Sequence, residues 1–469
     1  MGDTRELPTE PLPRAPGGRR RPPGARAILI ALAVMVAFAD SSIVVLALPQ
    51  LIGAYDSSVE EIAWVVTAYN LVVAVLAIAM VPFARRLAPR RMAVAGLVLF
   101  AAACGWCAAA GSTAELVAAR SVQGVGGALL LAASLPLLDA ATGSQGRGAA
   151  LWSAAGVVGA AIGPAAGGAL TQGFDWRAIF IAQIPLALAA LAALPGLRVP
   201  PNPYPAGIGQ GLRAPTAAGA ALALLSAALV GALFLSVVLM IDGWGHEPLL
   251  AAGIVSALPG GALVGSFLAG RSEAHVAIGG GAVLLAAGLG AMALLPEASL
   301  PMLAGALVLC GLGVGLALPA LTGASLRGRE PAAAGTWSVG VRHAGLVVGL
   351  ALLAPLLAAD LDGADERAQL AGTSALLEAP LSIDRKIEIG ERVAEVLQAT
   401  PAGQVPDLLP VLQPGEGDDP ALFARLRGRL DRVIQATITT AFRNSFALCA
   451  ALALAALLAL AFLRRRELR

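Results

Sequence analysis

The chain has 469 residues, of which 58% are hydrophobic and 13% are charged, and its formal net charge is +2. Soluble domains have about 45–50% apolar and about 25% charged residues. This composition therefore excludes a soluble enzyme of this length and indicates a membrane protein. Aromatic residues are few (4%), whereas Gly and Ala are abundant, as is typical of helices that pack closely within a bilayer.

Residues 1–25 are rich in Pro, Gly and Arg and contain no apolar run, which predicts a disordered, basic cytoplasmic tail rather than a cleaved signal peptide. Twelve apolar segments follow in two blocks of six, each long enough to cross a bilayer as a helix. We expect an N-terminal six-helix bundle (26–195), a Pro- and Gly-rich cytoplasmic linker (196–214) and a C-terminal six-helix bundle (215–463). The predicted spans are 26–49, 61–83, 92–111, 114–138, 148–171, 176–195, 215–241, 248–270, 275–295, 300–324, 332–359 and 439–463.

The two blocks are weakly similar to each other. The segment PFARRLAPRRMAVAG after the second span parallels SFLAGRSEAHVAIGG after the eighth, with Phe83 opposite Phe267 and Gly96 opposite Gly280. Internal repeats around a site near the bilayer midplane are a common plan of transporters. The predicted fold class is an all-α polytopic membrane protein with twelve transmembrane helices in two pseudo-symmetric six-helix bundles.

The distribution of charge predicts the orientation of these spans. Segments on one side of the membrane are rich in Arg, and the short loops on the other side are rich in Asp and Glu, with Arg177 as the exception. The positive-inside rule then places both termini in the cytoplasm, including a C-terminal tail (464–469). The single Lys among many Arg is typical of a GC-rich bacterial genome, so we expect a bacterial plasma membrane. The first inner loops contain Arg85, Arg86, Arg90, Arg91 and Arg147.

One long segment, residues 360–438, is polar, contains an excess of acids and falls outside the membrane on this topology. Asp419 is placed to cap a helix that begins with Pro420. We expect a small extracytoplasmic helical cap, whose apolar stripe packs on the outer rim or meets a partner or a lipid-like substrate. The apolar residues at helical spacing are Ile383, Ile387 and Val393 or Val396 in one predicted helix, and Leu422, Leu426, Leu430 and Val433 in the other.

Three ionisable residues lie deep within predicted spans, namely Asp40 in the first, Arg120 in the fourth and Arg342 in the eleventh. At about 1.5 Å per residue, all three fall near the midplane of the bilayer. A single charge there costs at least about 2.5–3.5 kcal/mol, but a carboxylate and guanidiniums at one depth offset each other's burial. The first interpretation is a proton-coupling site, in which Asp40 gains and loses a proton. The alternatives are an ion pair that fixes helix register, and a carboxylate that binds a cationic substrate without proton transfer.

Uncharged polar residues also recur within the spans, together with a Trp in the second span. They line an aqueous substrate cavity if they face the centre of the bundles, and otherwise they hydrogen-bond between helices. The predicted cavity residues are Trp64, Thr67, Tyr69, Asn70, Gln123 and Gln183.

The sequence contains no pattern of an enzyme or of a cofactor site. Lys386, the single Lys, follows no Gly-rich pattern of an ATP-binding loop. The three His are dispersed, and Cys104 and Cys107 lie in an apolar segment without a partner pair, so neither a metal site nor a disulfide is indicated. We expect no enzyme activity, no cofactor, no metal and no nucleic-acid partner. The energy for transport would come from an ion gradient, unless a separate ATPase subunit exists.

Several segments resemble motifs of the major facilitator superfamily, and specifically of its drug/proton antiporter branch. FADSSIVVLALPQL and EIAWVVTAYNL are similar to the first-span and second-span motifs of that branch. ARSVQGVGGALLLA resembles its Arg-x-x-Gln-Gly-x-Gly motif, and GVVGAAIGPAAGGAL resembles its antiporter motif, which is the most specific of the series. The matching residues are Arg120, Gln123, Gly124 and Gly126 in the former, and Gly159, Gly163, Pro164, Gly167 and Gly168 in the latter.

This resemblance implies a major facilitator fold and proton-coupled export by alternating access. Asp40 would accept the proton, Arg120 and Arg342 would tune it, and the glycines and Pro164 of the fifth span would shape closure. Gly at every fourth residue lets two helices touch and Pro adds a kink; tight packing without gating is the alternative. The chain departs from the branch in two ways, since fourteen spans are common there and its inner loop motif is eroded in VPFARRLAPRR, with Arg85 in the place of an Asp.

The predicted function is secondary active transport, with export of small amphipathic compounds in exchange for protons. The alternatives are uniport or uptake of a small solute, and a non-transporting scaffold or sensor on the same fold. We expect a monomer whose partners are the substrate, protons and the lipid bilayer.

Overall fold

The computed structural model of the chain describes residues 24–83, 88–199, 216–326, 331–399 and 419–461, which form helices joined by short turns. Residues 1–23 of the predicted N-terminal tail, the predicted C-terminal tail, Arg85, Arg86 and most of the predicted linker lie outside the described residues. The domain boundaries therefore stay predictions.

The first bundle begins with a helix that breaks and resumes before Pro49, which has no backbone N–H to donate. Serine side chains cap three later helices by accepting a backbone N–H, with Ser58 at α3, Ser112 at α5 and Ser144 at α6. The helices are α1 (Ala25–Val45), α2 (Leu48–Tyr55), α3 (Val59–Met80), α4 (Pro89–Ala109), α5 (Thr113–Thr142), α6 (Gln145–Gly173), α7 (Ala178–Ile181) and α8 (Gln183–Ala193).

The described part of the second bundle contains nine helices, and the first of them ends in a π-helical turn at Leu239–Gly243. The helices are α9 (Thr216–Val238), α10 (Pro248–Val255), α11 (Ala257–Ala269), α12 (Ala274–Ala293), α13 (Leu300–Leu326), α14 (Pro331–Glu378), α15 (Ile383–Ala399), α16 (Pro420–Ala441) and α17 (Arg443–Ala461).

Ten helical segments in the described residues are long and apolar enough to cross a membrane. Helix α6 and the shorter apolar segment Ala178–Ala193 lie at the two other predicted positions, so the architecture is consistent with twelve spans. The all-α polytopic class predicted from the sequence is confirmed. We call the end of the bundles that holds the turns 56–58 and 174–177 the outer end, and the end that holds 143–144 and 270–273 the inner end.

Helix α14 does not end where the eleventh span was predicted to end. It continues as one helix to Glu378, because no Pro or Gly-rich turn interrupts it between Pro355 and Pro380. Helices α15 and α16 pack beside this extension, and Arg429 of α16 pairs with Glu378 at 2.6 Å. We call residues 362–378 with α15 and α16 the cap. A hydrogen bond of 2.9 Å from Trp244 Nε1 to Thr439 Oγ1 attaches the cap to the second bundle.

The apolar stripe predicted for α15 was partly wrong. Ile383 and Ile387 are 76% and 54% exposed, whereas Ile389 is fully buried and Val393 and Val396 pack on the core. Residues 389, 393 and 396 also follow helical spacing, so periodicity alone did not decide between two neighbouring faces. In α16, Leu426 and Leu430 are buried as predicted, together with Phe423 and Ile434.

The two bundles touch at both ends. At the outer end, Gln172 of the first bundle donates to Glu247 (3.1 Å) and accepts from the backbone N–H of Leu249 (2.8 Å). Toward the inner end, Gly340 of α14 packs against Ile78 of α3, where a Cβ atom would lie 3.1 Å from the backbone nitrogen. A cavity lies between these contacts.

Candidate functional site

The structure brings together two of the three charges predicted to act in coupling. Arg120 Nη1 of α5 donates to Asp40 Oδ2 of α1 at 2.6 Å, and both side chains are completely buried. The residues are 80 positions apart in the chain. A fully buried ion pair is favourable only when further hydrogen bonds satisfy its remaining atoms.

Gln123 supplies most of these further hydrogen bonds. It lies one turn after Arg120, donates Nε2 to Asp40 Oδ1 (3.0 Å) and accepts from Arg120 Nη1 at its Oε1 (2.6 Å). The Nε of Arg120 donates to the carbonyl oxygen of Val65 (2.9 Å). Both carboxylate oxygens of Asp40 are therefore occupied, while Nη2 of Arg120 has no hydrogen-bond partner in the described part of the chain.

Aromatic rings surround the guanidinium. The Arg120 Cζ lies 4.5 Å from the centroid of the Tyr69 ring and 5.8 Å from that of Phe180. The Tyr69 hydroxyl donates to the carbonyl oxygen of Ala37 (3.0 Å), which fixes the ring between α3 and α1. These rings exclude water from the ion pair and stabilise the cation through their faces.

Helix α6 packs directly against the segment of α1 that carries Asp40. A Cβ atom at Gly159 would collide with the Met35 carbonyl oxygen, one at Gly163 with Ser42 Oγ, and one at Gly167 would lie 2.7 Å from the Ile43 carbonyl oxygen. The four-residue spacing therefore serves a close approach of two backbones. Pro164 lies between them within the helix. Gly168 faces the other bundle, where a Cβ atom would lie 2.9 Å from the Pro248 carbonyl oxygen.

The glycines after Arg120 position α5 in the same way. A Cβ atom at Gly124 would lie 2.8 Å from the Tyr69 carbonyl oxygen, and one at Gly126 would lie 2.8 Å from that of Gly96 in α4. Because larger side chains at these positions would push α5 away from α3 and α4, the motif places Arg120 within reach of Asp40.

Arg342 does not join this pair. No hydrogen bond or ion pair links its guanidinium to Asp40 or Arg120 among the described residues; instead its Cζ lies 5.0 Å from the centroid of the Phe38 ring. It faces a cavity that lies between the bundles toward the inner end. The cavity is lined by α6, α9, α11, α13, α14 and Phe38 of α1.

The six residues predicted to line a substrate cavity lie outside the wall of this one. Trp64 is 53% exposed on the surface of α3, and the other five are buried within the first bundle. The reason is that their polar groups bond within the packed helices: Asn70 donates to the Val66 carbonyl oxygen (2.7 Å) and accepts from Ser41, and Gln183 donates to that of Ile179 (3.1 Å). The other buried residues of this set are Thr67, Tyr69 and Gln123.

His343 was not among the residues predicted for the site. This side chain is buried, its ring stacks on Phe38 at 6.3 Å and meets the edge of Tyr69 at 6.4 Å, and Nδ1 lies 2.9 Å from the Val339 carbonyl oxygen. A His within a predicted span, directly after Arg342, was the available signal. Cys104 and Cys107 are free and buried, and their sulfurs lie 3.3 Å and 3.6 Å from the Gln123 side chain.

This arrangement permits a change of charge inside the protein. Protonation of Asp40 would remove one half of the ion pair, while Arg120 would keep its hydrogen bonds to Gln123 and Val65. The Asp40 carboxylate accepts hydrogen bonds from Arg120 and Gln123 of α5, and α6 packs closely against the helix that carries it.

Residues 30–359 match the family model described as Major Facilitator Superfamily. Since this match covers more than half of the chain, the chain belongs to the Major Facilitator Superfamily. It is thus a multi-pass membrane protein, as its composition predicted.

Several curated proteins are similar over part of the chain. The multidrug efflux pump LfrA of Mycolicibacterium smegmatis is 35% identical over 38% of this chain and 36% of its own length. The methylenomycin A resistance protein of Bacillus subtilis is 34% identical over 35% of this chain and 36% of its own length. The riboflavin transporter RibZ of Clostridioides difficile is 29% identical over 38% and 39%, respectively. The chain thus spans between 36% and 39% of the length of these relatives.

Solved structures show the same fold. A bacterial homolog to the human lysosomal transporter Spinster, in an inward-facing and unoccupied conformation, has a TM-score of 0.59 at 17% identity and covers 92% of this chain and 97% of that chain. A D-xylose–proton symporter has a TM-score of 0.57 at 14% identity and covers 69% and 88%, respectively. At these identities the likeness concerns the fold alone.

Proposed function

We propose that this chain is a secondary transporter of a bacterial plasma membrane, which exports small amphipathic compounds in exchange for protons by alternating access. The observation that carries the proposal is the buried ion pair of Asp40 and Arg120, bridged by Gln123. A buried carboxylate costs free energy unless a nearby cation and hydrogen bonds compensate its charge. Ionisable residues within membrane spans are rare, and they mark ion pathways. The partial likeness to efflux pumps supports the same direction of transport.

In the proposed cycle, Asp40 takes a proton when the site is open to the outside and loses it when the site is open to the cytoplasm. The neutral carboxyl group pairs less strongly with Arg120, which frees a guanidinium that already has one unpartnered nitrogen. Because α6 packs against α1 through its glycines, a shift of the Asp40 segment moves α6 as well. Helix α6 in turn meets the second bundle at Gln172, so the protonation state of Asp40 and the state of the outer contact are linked.

The energy available is sufficient for accumulation outside the cell. A difference of one pH unit corresponds to about 1.4 kcal/mol per proton, which supports about a tenfold gradient of a neutral substrate at one proton per cycle. The orientation, with both termini in the cytoplasm, rests on the distribution of Arg. We expect the functional unit to be a monomer, since the two bundles of one chain together contain the ion pair and the cavity.

The test uses the full chain in proteoliposomes with a trapped pH-sensitive dye and an imposed pH gradient. Candidate amphipathic compounds are added to the wild type, to Asp40→Asn and to Asp175→Asn, which makes the same chemical change at an exposed position of the outer end. We expect substrate-dependent proton flux in the wild type and in Asp175→Asn, and none in Asp40→Asn. Substrate movement that is independent of the gradient and unchanged in Asp40→Asn would contradict proton coupling and favour a uniporter.

A further inference from the structure

Among the described residues, the wall of the cavity between the bundles contains one charged side chain, that of Arg342, and is otherwise formed mainly by apolar residues of both bundles. Within the described residues, no acidic side chain lines this cavity and none pairs with Arg342. A guanidinium in apolar surroundings is costly unless an anion or a set of hydrogen-bond acceptors compensates it.

The Phe38 ring compensates part of this cost. It lies 5.0 Å from the Arg342 Cζ, but a ring face satisfies none of the five N–H groups of a guanidinium. The five donors in a fixed plane match the two oxygens of a carboxylate or the oxygens of a sulfonate or phosphate.

A second polar group on the same wall also lacks a partner. The hydroxyl of Ser266, on α11, is buried and makes no hydrogen bond within the described part of the chain. Thr322 and Ser153 bring two more hydroxyl groups to the wall from α13 and α6. Each of these hydroxyl groups can donate a hydrogen bond to an anion that is bound in the cavity.

We propose that this cavity binds acidic amphipathic compounds, with the anionic group at Arg342 and the apolar body against Phe38, Leu233 and Leu258. The proposal rests on the transport function proposed above and names its substrate class. A cationic compound would meet repulsion from Arg342 and would find no carboxylate among the described residues of the wall.

The charge of the substrate has a consequence for energetics. Exchange of one external proton for one internal monocation moves no net charge, whereas exchange for a monoanion moves the equivalent of two positive charges inward. Export of an anion is therefore driven by the membrane potential as well as by the pH gradient. Under an imposed inside-negative potential at equal pH, we expect the wild type to export an acidic substrate.

Binding tests the inference independently of transport. The purified full chain in nanodiscs of phosphatidylcholine is titrated with dansyl-phenylalanine, which has a free carboxylate, and with its neutral amide, and fluorescence is recorded. We expect the wild type to bind the carboxylate at least about tenfold more tightly than the amide, because a charge-assisted hydrogen-bond pair is lost with the amide.

Substitutions of Arg342 test whether this side chain causes the preference for the carboxylate over the amide. Arg342→Gln should weaken binding of the carboxylate by about 10- to 100-fold and leave binding of the amide unchanged, whereas Arg342→Lys should keep part of the preference. Arg271→Gln is the matched control, since Arg271 also stacks on a ring (Phe267, 3.7 Å) but is exposed outside the cavity. Size-exclusion profiles confirm that each variant is folded.

The proposal is overturned if the wild type binds the amide as tightly as the carboxylate, if Arg342→Gln keeps the preference, or if carboxylate, sulfonate and phosphate probes all fail to bind. A failure of the proposed transport function gives another combination of results. The carboxylate probe then binds with the expected dependence on Arg342, but neither the wild type nor Asp40→Asn shows substrate-dependent proton flux.

Discussion

The guanidinium of Arg342 lies 5.0 Å from the ring of Phe38, two residues before Asp40 on α1. The neighbouring His343 stacks on the same ring and meets Tyr69, whose ring supports the guanidinium of the buried ion pair. Helix α14 of the second bundle therefore reaches the coupling site through aromatic packing rather than through an ion pair. A substrate bound at Arg342 would displace or press on the helix segment that holds the carboxylate.

Arg120→Leu should lower the stability of the protein by about 3–5 kcal/mol, because it leaves the buried carboxylate of Asp40 without its cation. Arg120→Lys should recover only part of this loss, since one ammonium group cannot reach Asp40, Gln123 and the Val65 carbonyl oxygen together. Thermal unfolding of the purified proteins should give melting temperatures that fall in the order wild type, Arg120→Lys, Arg120→Leu.

The double variant Asp40→Asn with Arg120→Leu is the control for this prediction. With both charges removed, it should be more stable than Arg120→Leu alone, since residues in one network are not additive. Additive losses of stability would show that the two side chains do not depend on each other.

Gly159→Ala should reduce transport and lower stability by about 1–3 kcal/mol, because the new methyl group would collide with the Met35 carbonyl oxygen and force α6 away from α1. Gly146→Ala is the matched control on the same helix, where nothing lies within 4 Å of a Cβ atom. It should leave transport unchanged and stabilise the helix slightly. Equal losses in both variants would mean that the close approach of α6 to α1 has no role.

The sequence predicted the pairing of Asp40 and Arg120 better than the place of Arg342. Depth along a helix follows from counting residues, and the glycine motif of α5 indicated close packing around Arg120. The direction of a side chain around the helix axis depends on packing, however, and an apolar sequence such as that around Arg342 carries no amphipathic signal. For the same reason, Thr67, Asn70 and Gln183 could be placed in the membrane but not assigned to a cavity or a helix contact.

Gln172→Ala should favour the conformation in which the outer end is open. The change removes the hydrogen bonds to Glu247 and to the backbone N–H of Leu249, each worth about 0.5–1.5 kcal/mol at most in an exposed position. Spin labels at Phe174→Cys and Leu294→Cys, two exposed positions on different bundles, report the separation of the outer ends. The native cysteines are all buried, which favours selective labelling.

We expect the population with the longer distance between the labels to rise several-fold in Gln172→Ala. The exposed Glu297→Ala, also at the outer end, serves as the control and should leave the distance distribution as it is in the wild type. Identical distributions in all three proteins would show that this contact does not hold the outer end closed.

Thr439→Val should loosen the cap. The nearly isosteric change leaves the buried indole N–H of Trp244 without its acceptor, which costs about 1–3 kcal/mol. Limited proteolysis measures the effect as faster cleavage between α14 and α17. Thr437→Val is the matched control, since the Thr437 hydroxyl bonds only to the Val433 carbonyl oxygen of its own helix. Equal cleavage rates in both variants would contradict the role of the Trp244 contact.

The cap illustrates the limits of periodicity in another way. The sequence predicted two amphipathic helices, and the cap contains both α15 and α16. The face of α15 was misjudged because Ile389, Val393 and Val396 form a stripe next to that of Ile383 and Ile387. Which stripe is buried depends on the extension of α14, whose length is set by Pro380 and was not predicted from hydropathy.

In the proposed function, Asp40 couples protons to movement of substrate. Two activities of the same proteoliposomes test this coupling, namely exchange of labelled for unlabelled substrate without a gradient, and uphill transport driven by a pH gradient. For Asp40→Asn, we predict exchange at a rate close to that of the wild type and no uphill transport, because the carboxamide fills the same place but cannot carry a proton. Uphill transport by Asp40→Asn at the wild-type rate would contradict the claim and would assign Asp40 to a structural role.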